Sequence, residues 1–202
     1  LNGLEGIGVY NKARRIVLRD CISHGHRQDG FLIMVGQQIT HTGCKAYDNG
    51  QSGFTTQRQT GGNDSRLVTW TGCEAWDNAY DGFDIRGAST APWQVETGFV
   101  LSRCSAHDNA ECGFYIVKAE GTVLEDCTAA LNSQQNLFVD TSDRVTVRGF
   151  RSLSGAASVT AGPNKAGILV YNSHDVRLIA PVSANDRGIT QEFGISFTGG
   201  SL

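Results

Sequence analysis

The sequence is poor in proline, with 3 in 202 residues, and has a single methionine. It also lacks long apolar runs. The longest is Phe31–Val35, far short of the ~20 residues that a membrane-spanning helix needs. No basic stretch leads into an apolar one after Leu1, so no signal-peptide pattern is read there. Neither sign of charge dominates: 17 Lys and Arg stand against 20 Asp and Glu, a net −3 with histidine neutral. A nucleic-acid partner calls for a clustered basic excess. Neither nucleic acid nor membrane is therefore expected as a partner. What abounds is glycine, 25 residues. Much glycine with little proline describes a chain that turns often, without long helices or proline-rich linkers. The length fits one domain or one elongated array.

Self-comparison shows an array. A cysteine is followed five residues later by asparagine at Cys44…Asn49, Cys73…Asn78, Cys104…Asn109 and Cys127…Asn132, and Cys21…His26 fits with histidine in place of asparagine. Four residues further comes a glycine-aromatic pair: Gly30-Phe31, Gly53-Phe54, Gly82-Phe83 and Gly113-Phe114, with Asn136-Leu137 as the fifth copy. Between these marks the pattern alternates with period two. Ile16, Ile39, Val68, Phe99 and Thr122 stand five residues before the cysteine, and Leu18, His41, Trp70, Leu101 and Leu124 three before it. Alternation over short runs is the signature of strands. A coil of about 23 residues closes no core alone and must stack on its neighbours. The expected fold is all-β: a single right-handed parallel β-helix of about seven coils, filling residues 1–202. Asn2 already occupies a ladder position and the last strand pattern, Gly194–Phe197, lies just before the end. The segment is therefore expected to belong to a longer solenoid, or to be covered by partner subunits as in a homotrimer.

In such a stack equivalent side chains sit about 4.8 Å apart. The cysteines become an internal column of small hydrophobes and the asparagines an amide ladder. Cys112, outside the column, is read as a surface or turn thiol. No cysteine spacing resembles a zinc site, and the histidines are scattered over different coil positions, so no metal centre is expected. Asp48, Asp77 and Asp108 form an acidic column that reads as solvated turn residues, with calcium as an allowed but not required ion. His24, Tyr47, Trp76 and His107 share an outward column suited to a sugar or a neighbouring subunit.

If the phenylalanines of the Gly-Phe strands point inward, two outward columns follow. The first reads Leu32, Thr55, Asp84, Tyr115, Phe138, Leu169, and the second Met34, Gln57, Arg86, Val117, Asp140, Tyr171. Asp84, Arg86 and Tyr115 meet on one face: a carboxylate, a guanidinium and a phenol, suited to proton transfer and anion binding. The same set also fits an ordinary salt bridge beside a packed tyrosine. Thr55, Gln57, Asp140 and Tyr171 flank them as substrate-binding candidates. Two coils carry extra residues within Gln57–Arg66 and Gly87–Thr97, and Trp93 in the second suits stacking on a sugar ring.

The recurring Asp-Asn-x-x-x-Gly-Phe phrase resembles the right-handed parallel β-helix superfamily of pectate lyases, polygalacturonases, alginate C-5 epimerases and phage tailspikes. It is most similar to the catalytic module of mannuronan C-5 epimerases, whose active-site motif is Tyr-Gly-Phe-Asp-Pro-His. Here the matching stretch is Tyr80-Asp81-Gly82-Phe83-Asp84-Ile85-Arg86. Gly82, Phe83 and Asp84 match, the tyrosine is displaced by one residue, Ile85 replaces the proline and Arg86 the histidine. The resemblance implies Asp84 as a catalytic residue, a polysaccharide partner, and an extracellular or virion-surface setting. The expected function is β-elimination or C-5 epimerisation of an anionic polysaccharide. The alternative is a non-catalytic saccharide-binding or structural shaft, as in a tailspike body or an adhesin. A two-carboxylate hydrolase ranks last, because Asp84 and Asp140 stand two rungs apart, about 9.6 Å.

Overall fold

The computed structural model describes residues 4–57, 65–87, 97–155, 166–185 and 193–199. Among these the chain forms twenty-two strands and no helix, hence none long and apolar enough to cross a membrane. All strand pairs are parallel, in three sheets of eight, seven and seven strands that wind into a right-handed solenoid. Each coil contributes one strand to each sheet, which confirms the all-β β-helix of about seven coils.

The first sheet holds the Gly-Phe strands, among them Phe31–Met34, Phe54–Gln57, Phe83–Arg86, Phe114–Val117, Leu137–Asp140 and Ala166–Tyr171. Its register aligns Phe31, Phe54, Phe83, Phe114, Leu137 and Ile168. The four phenylalanine rings stack inside the coil with centroids 4.8 Å apart and planes within 9° of parallel. Burying each ring contributes about 1.5–3 kcal/mol. The second sheet sends Ile39, Val68, His41, Trp70, Leu101 and Leu124 into the same core, and the third sends Ala46, Ala75, Ala106 and Ala129.

Cys44, Cys73, Cys104 and Cys127 form the expected internal column as free thiols, with the partly exposed Cys21 at its first rung. Cys112 departs from expectation. It is buried: its N–H donates to Asp81 Oδ1 at 2.9 Å, and its Sγ lies 3.7 Å from Gln135 Oε1. Burial pushes the thiols of Cys104 and Cys112 up, which keeps them protonated and unreactive.

The asparagines form an unbroken chain of amides. Asn49 Nδ2 donates to Asn78 Oδ1 at 2.9 Å, Asn78 to Asn109 at 3.0 Å, Asn109 to Asn132 at 2.9 Å and Asn132 to Asn136 at 2.8 Å. This ladder runs so close to the first sheet that the adjacent position must be glycine. A Cβ on Gly82 would lie 2.7 Å from Gly113 O, 2.8 Å from Ala106 Cβ and 3.0 Å from Asn109 Nδ2. Asp48, Asp77 and Asp108 precede the ladder with φ of 54°, 52° and 55°, the left-handed region that aspartate tolerates, and all three are exposed. Among the described residues no three His, Cys, Asp or Glu side chains are placed to hold a metal ion.

Candidate functional site

The outward columns have the expected register. Thr55, Asp84, Tyr115, Phe138 and Leu169 align in one, and Val117, Asp140 and Tyr171 follow Arg86 in the other. Gln57 aligns with Met34 and is half-buried at the end of its strand. Trp93 lies outside the described residues, as does much of each insertion.

The first column is not the open surface that alternation suggests. Asp84 is only 5% exposed and Thr55 2%. Two further carboxylates explain part of this cover, and the sequence reading missed both. Asp29 and Asp81 each precede the glycine of a Gly-Phe pair, where the chain enters the strand. Asp29 Oδ1 accepts from Thr55 Oγ1 at 2.7 Å and from Ser52 N at 3.1 Å, so its side chain meets the outer face. Asp81 accepts from Cys112 N. Aligning the residue before each glycine would have exposed this column: Asp29, Ser52, Asp81, Cys112, Gln135.

Arg86 folds back over the site. Its Nε donates to both oxygens of Asp84, at 2.9 and 2.8 Å, while half of the side chain stays exposed. The guanidinium carbon lies 6.0 Å from the centroid of the Tyr115 ring, which itself stacks on Phe138 at 5.2 Å. Tyr115 Oη donates to Asp140 Oδ2 at 3.2 Å, and Asp140 Oδ1 accepts from Thr141 Oγ1 at 2.7 Å. Asp84, Arg86, Tyr115 and Asp140 are thus drawn together. Thr55 is tied to Asp29 instead, and Tyr171 stands exposed one rung beyond Asp140.

The electrostatics follow from burial. Asp84 is pushed up to about 6 because burial outweighs the opposing pull of Arg86. Burial and then the Asp84 charge hold Asp81 well above the usual carboxylate range. Burial also raises Asp29, against the hydrogen bonds from Thr55 and Ser52. For Arg86 burial acts to lower the pKa, but Asp84 more than offsets it and the guanidinium stays charged. Burial, then Asp140, raises Tyr115, which is therefore a phenol at neutral pH. The site holds one fixed cation, one proton donor and a carboxylate that titrates near neutrality.

The aromatic column on the third sheet has the expected register and is stacked ring on ring. His24 stacks on Tyr47 at 4.7 Å, Tyr47 on Trp76 at 4.4 Å and Trp76 on His107 at 5.9 Å, all within 13° of parallel. The inner rings, Tyr47 and Trp76, spend their faces on their neighbours, so a sugar ring cannot stack on those faces.

A family model described as "Right handed beta helix region" matches residues 2–92 and 60–201. The chain belongs to this right-handed β-helix family. No curated protein matches it. Among solved structures it is similar to the Azotobacter vinelandii mannuronan C-5 epimerase AlgE6 A-module, with 14% identity and a TM-score of 0.63 over 94% of this chain and 58% of that one. It is also similar to the periplasmic alginate epimerase AlgG, at 10% identity and TM-score 0.61 over 96% of this chain and 48% of that one. A third similar structure is the Siphovirus 9NA tailspike receptor binding domain, at 14% and 0.56 over 98% and 45%. At these identities the likeness is one of fold, and the chain spans less than three fifths of each structure.

Proposed function

We propose that the chain processes an anionic polysaccharide, outside the cell or on a virion surface, by C-5 epimerisation or β-elimination at the Asp84–Arg86–Tyr115 cluster. The observation that carries this is a half-exposed, permanently charged arginine pinned by a buried carboxylate directly beside a neutral phenol. Arg86 keeps Nε on Asp84 and offers its remaining nitrogens to a uronate carboxylate. Neutralising that carboxylate lowers the cost of the carbanion that forms when the C-5 proton leaves. Asp84, poised near 6, accepts that proton. Tyr115 then returns a proton to the opposite face of C-5, giving the epimer. In elimination the carbanion pair instead forms the C4–C5 double bond and expels the C-4 oxygen, which takes the proton from Tyr115. Asp140 receives the phenol's hydrogen bond and fixes its direction. Similarity in fold to two epimerases supports this assignment.

The test is incubation with polyuronates. Unsaturated ends are followed by ultraviolet absorbance and C-5 inversion by proton NMR. Tyr115→Phe is expected to lower kcat by about 10²–10⁴-fold, the usual worth of a positioned proton donor. Unchanged rates in Tyr115→Phe and Arg86→Ala would sink the assignment.

A second function, a saccharide-binding or structural shaft, is favoured by the mutual satisfaction of the polar groups: Asp29 by Thr55 and Ser52, Asp81 by Cys112, Asp84 by Arg86. A trimer that binds polysaccharide and releases no product would establish the shaft.

A further inference from the structure

Around the corner from the catalytic candidates, where the chain enters the second sheet, a cleft of about 610 Å³ is lined by Arg14, Arg15, Gln37, Gln38, Arg66 and Leu67. Three arginines and two amides face this space, and among the described residues no carboxylate lines it. The protein as a whole carries −3, so the concentration of positive charge is local. The strand register places Arg14, Gln37 and Arg66 in successive rungs, which sets Arg14 and Arg66 about 9.6 Å apart along the axis. That exceeds the Debye length of about 8 Å at physiological salt, so their mutual repulsion is largely screened and both charges are kept in one cleft at little cost. Arg66 Nε is shut away from solvent with no hydrogen-bond partner among the described residues.

The same columns behave differently higher in the stack. There they read Glu120, Asp143 and His174 in one and Arg144 and Asp175 in the other. Arg144 ion-pairs with Glu120 and lies 3.9 Å from Asp143. An arginine in these columns is thus matched by carboxylates of its own chain in the later coils. In the first three coils arginines face glutamines and one another, and among the described residues no ion pair involves Arg14, Arg15 or Arg66.

We propose that Arg14, Arg15 and Arg66, with Gln37 and Gln38, form a second anion-binding site that holds an oxyanion group, carboxylate or sulfate, of the polysaccharide engaged at Arg86. This extends the function proposed above and rests on it for the identity of the polymer. Arg66 opens the strand that follows Phe54–Gln57, whose neighbour in the first sheet carries Asp84 and Arg86. From the rung of Arg86 to that of Arg14 is three rungs, about 14 Å, a span that an extended polymer bridges with a few sugar units. Guanidinium forks match carboxylate and sulfate geometry, and amides add neutral donors.

The test measures binding of polygalacturonate, dextran sulfate and uncharged dextran by titration calorimetry at several salt concentrations. Wild-type protein, Arg14→Gln/Arg66→Gln, Arg15→Gln and Arg86→Ala are compared after their melting temperatures have been checked. Wild-type protein is expected to bind at least one polyanion and not dextran, and the preferred polymer tells carboxylate from sulfate. The double variant is expected to lose at least tenfold in affinity with a shallower salt dependence. Arg15→Gln, whose exposed side chain supports no core contact, is expected to lose affinity in the same direction. Wild-type affinity and salt slope in both the double variant and Arg15→Gln would overturn the site, as would failure of wild-type protein to bind either polyanion. If the arginine variants lose binding while Arg86→Ala changes neither binding nor turnover, the cleft stands and the catalytic assignment falls.

Discussion

Replacing Asp84 by asparagine isolates the cost of keeping a carboxylate in the site. In the folded protein Asp84 titrates at about 6, against 3.8 for a free side chain. Between these values the folded state binds more protons than the unfolded state. The contribution of Asp84 to stability therefore falls as pH rises through that window and stays lower above it. The shift is about two units, and at about 1.36 kcal/mol per unit it sets a ceiling of about 3 kcal/mol. The side chain is 7% exposed, so solvent screening takes little from that figure. Arg86 loses less than a full partner in the variant, because the asparagine Oδ1 still accepts from Nε. Asp84→Asn is thus expected to be more stable than wild type above pH 7, by up to about 3 kcal/mol, and indistinguishable from it below pH 4. Urea denaturation midpoints taken every half unit from pH 4 to 8 measure the difference directly. A stability difference between variant and wild type that does not grow across pH 4–6, or a variant that is weaker at pH 7.5, would mean that the ion pair with Arg86 dominates burial. The case for Asp84 as a proton acceptor would then fail.

The amide ladder gives a second test. Asn78→Ala leaves the buried Asn49 N–H without its acceptor and Ala46 O without its side-chain donor, at about 1–3 kcal/mol each. A loss of about 2–6 kcal/mol in urea unfolding is expected, and less than about 1 would remove the ladder from the account of stability. His41 offers the opposite pH dependence. Neither ring nitrogen has a hydrogen-bond partner among the described residues, and burial lowers its pKa to about 4 from 6.5, so the unfolded state binds the extra proton between those values. Wild-type stability should fall by up to about 3 kcal/mol as pH drops from 6.5 to 4 on this group's account. His41→Leu should abolish that component, and an unchanged acid limb would refute it. In the native protein a colourless-to-coloured thiol reagent is expected to react readily with Cys21 alone among the six cysteines, and with all six in denaturant. Rapid native reaction of more than one thiol would contradict the internal column.

The coil repeat, the inward phenylalanines, the cysteine column and the amide ladder were legible because each is fixed by spacing. A residue that recurs at the same coil position must stack on its own kind, and period two assigns it a face. The candidate site was legible only in part, and for the same reason. Alternation placed Asp84, Tyr115 and Arg86 on the outer face and paired the rungs correctly, but it equates outward with exposed. Asp84 lies outward and buried because Arg86 folds over it and carboxylates from the strand entrances crowd beside it. Those carboxylates, Asp29 and Asp81, fall two residues before an inward phenylalanine, where strict alternation would also turn them inward. At that point the chain is still leaving a turn, and the hydrogen bond from Thr55 shows Asp29 meeting the outer face instead. Cys112 was misjudged at the same coil position. The aromatic column was placed correctly, and its stacking was not foreseen, although 4.8 Å is a spacing at which flat rings close on one another. In a solenoid the repeat distance itself decides which side chains remain available to a ligand: rings and amides consume each other along the axis, while like charges such as Arg14 and Arg66 cannot, and so stay open to an anion.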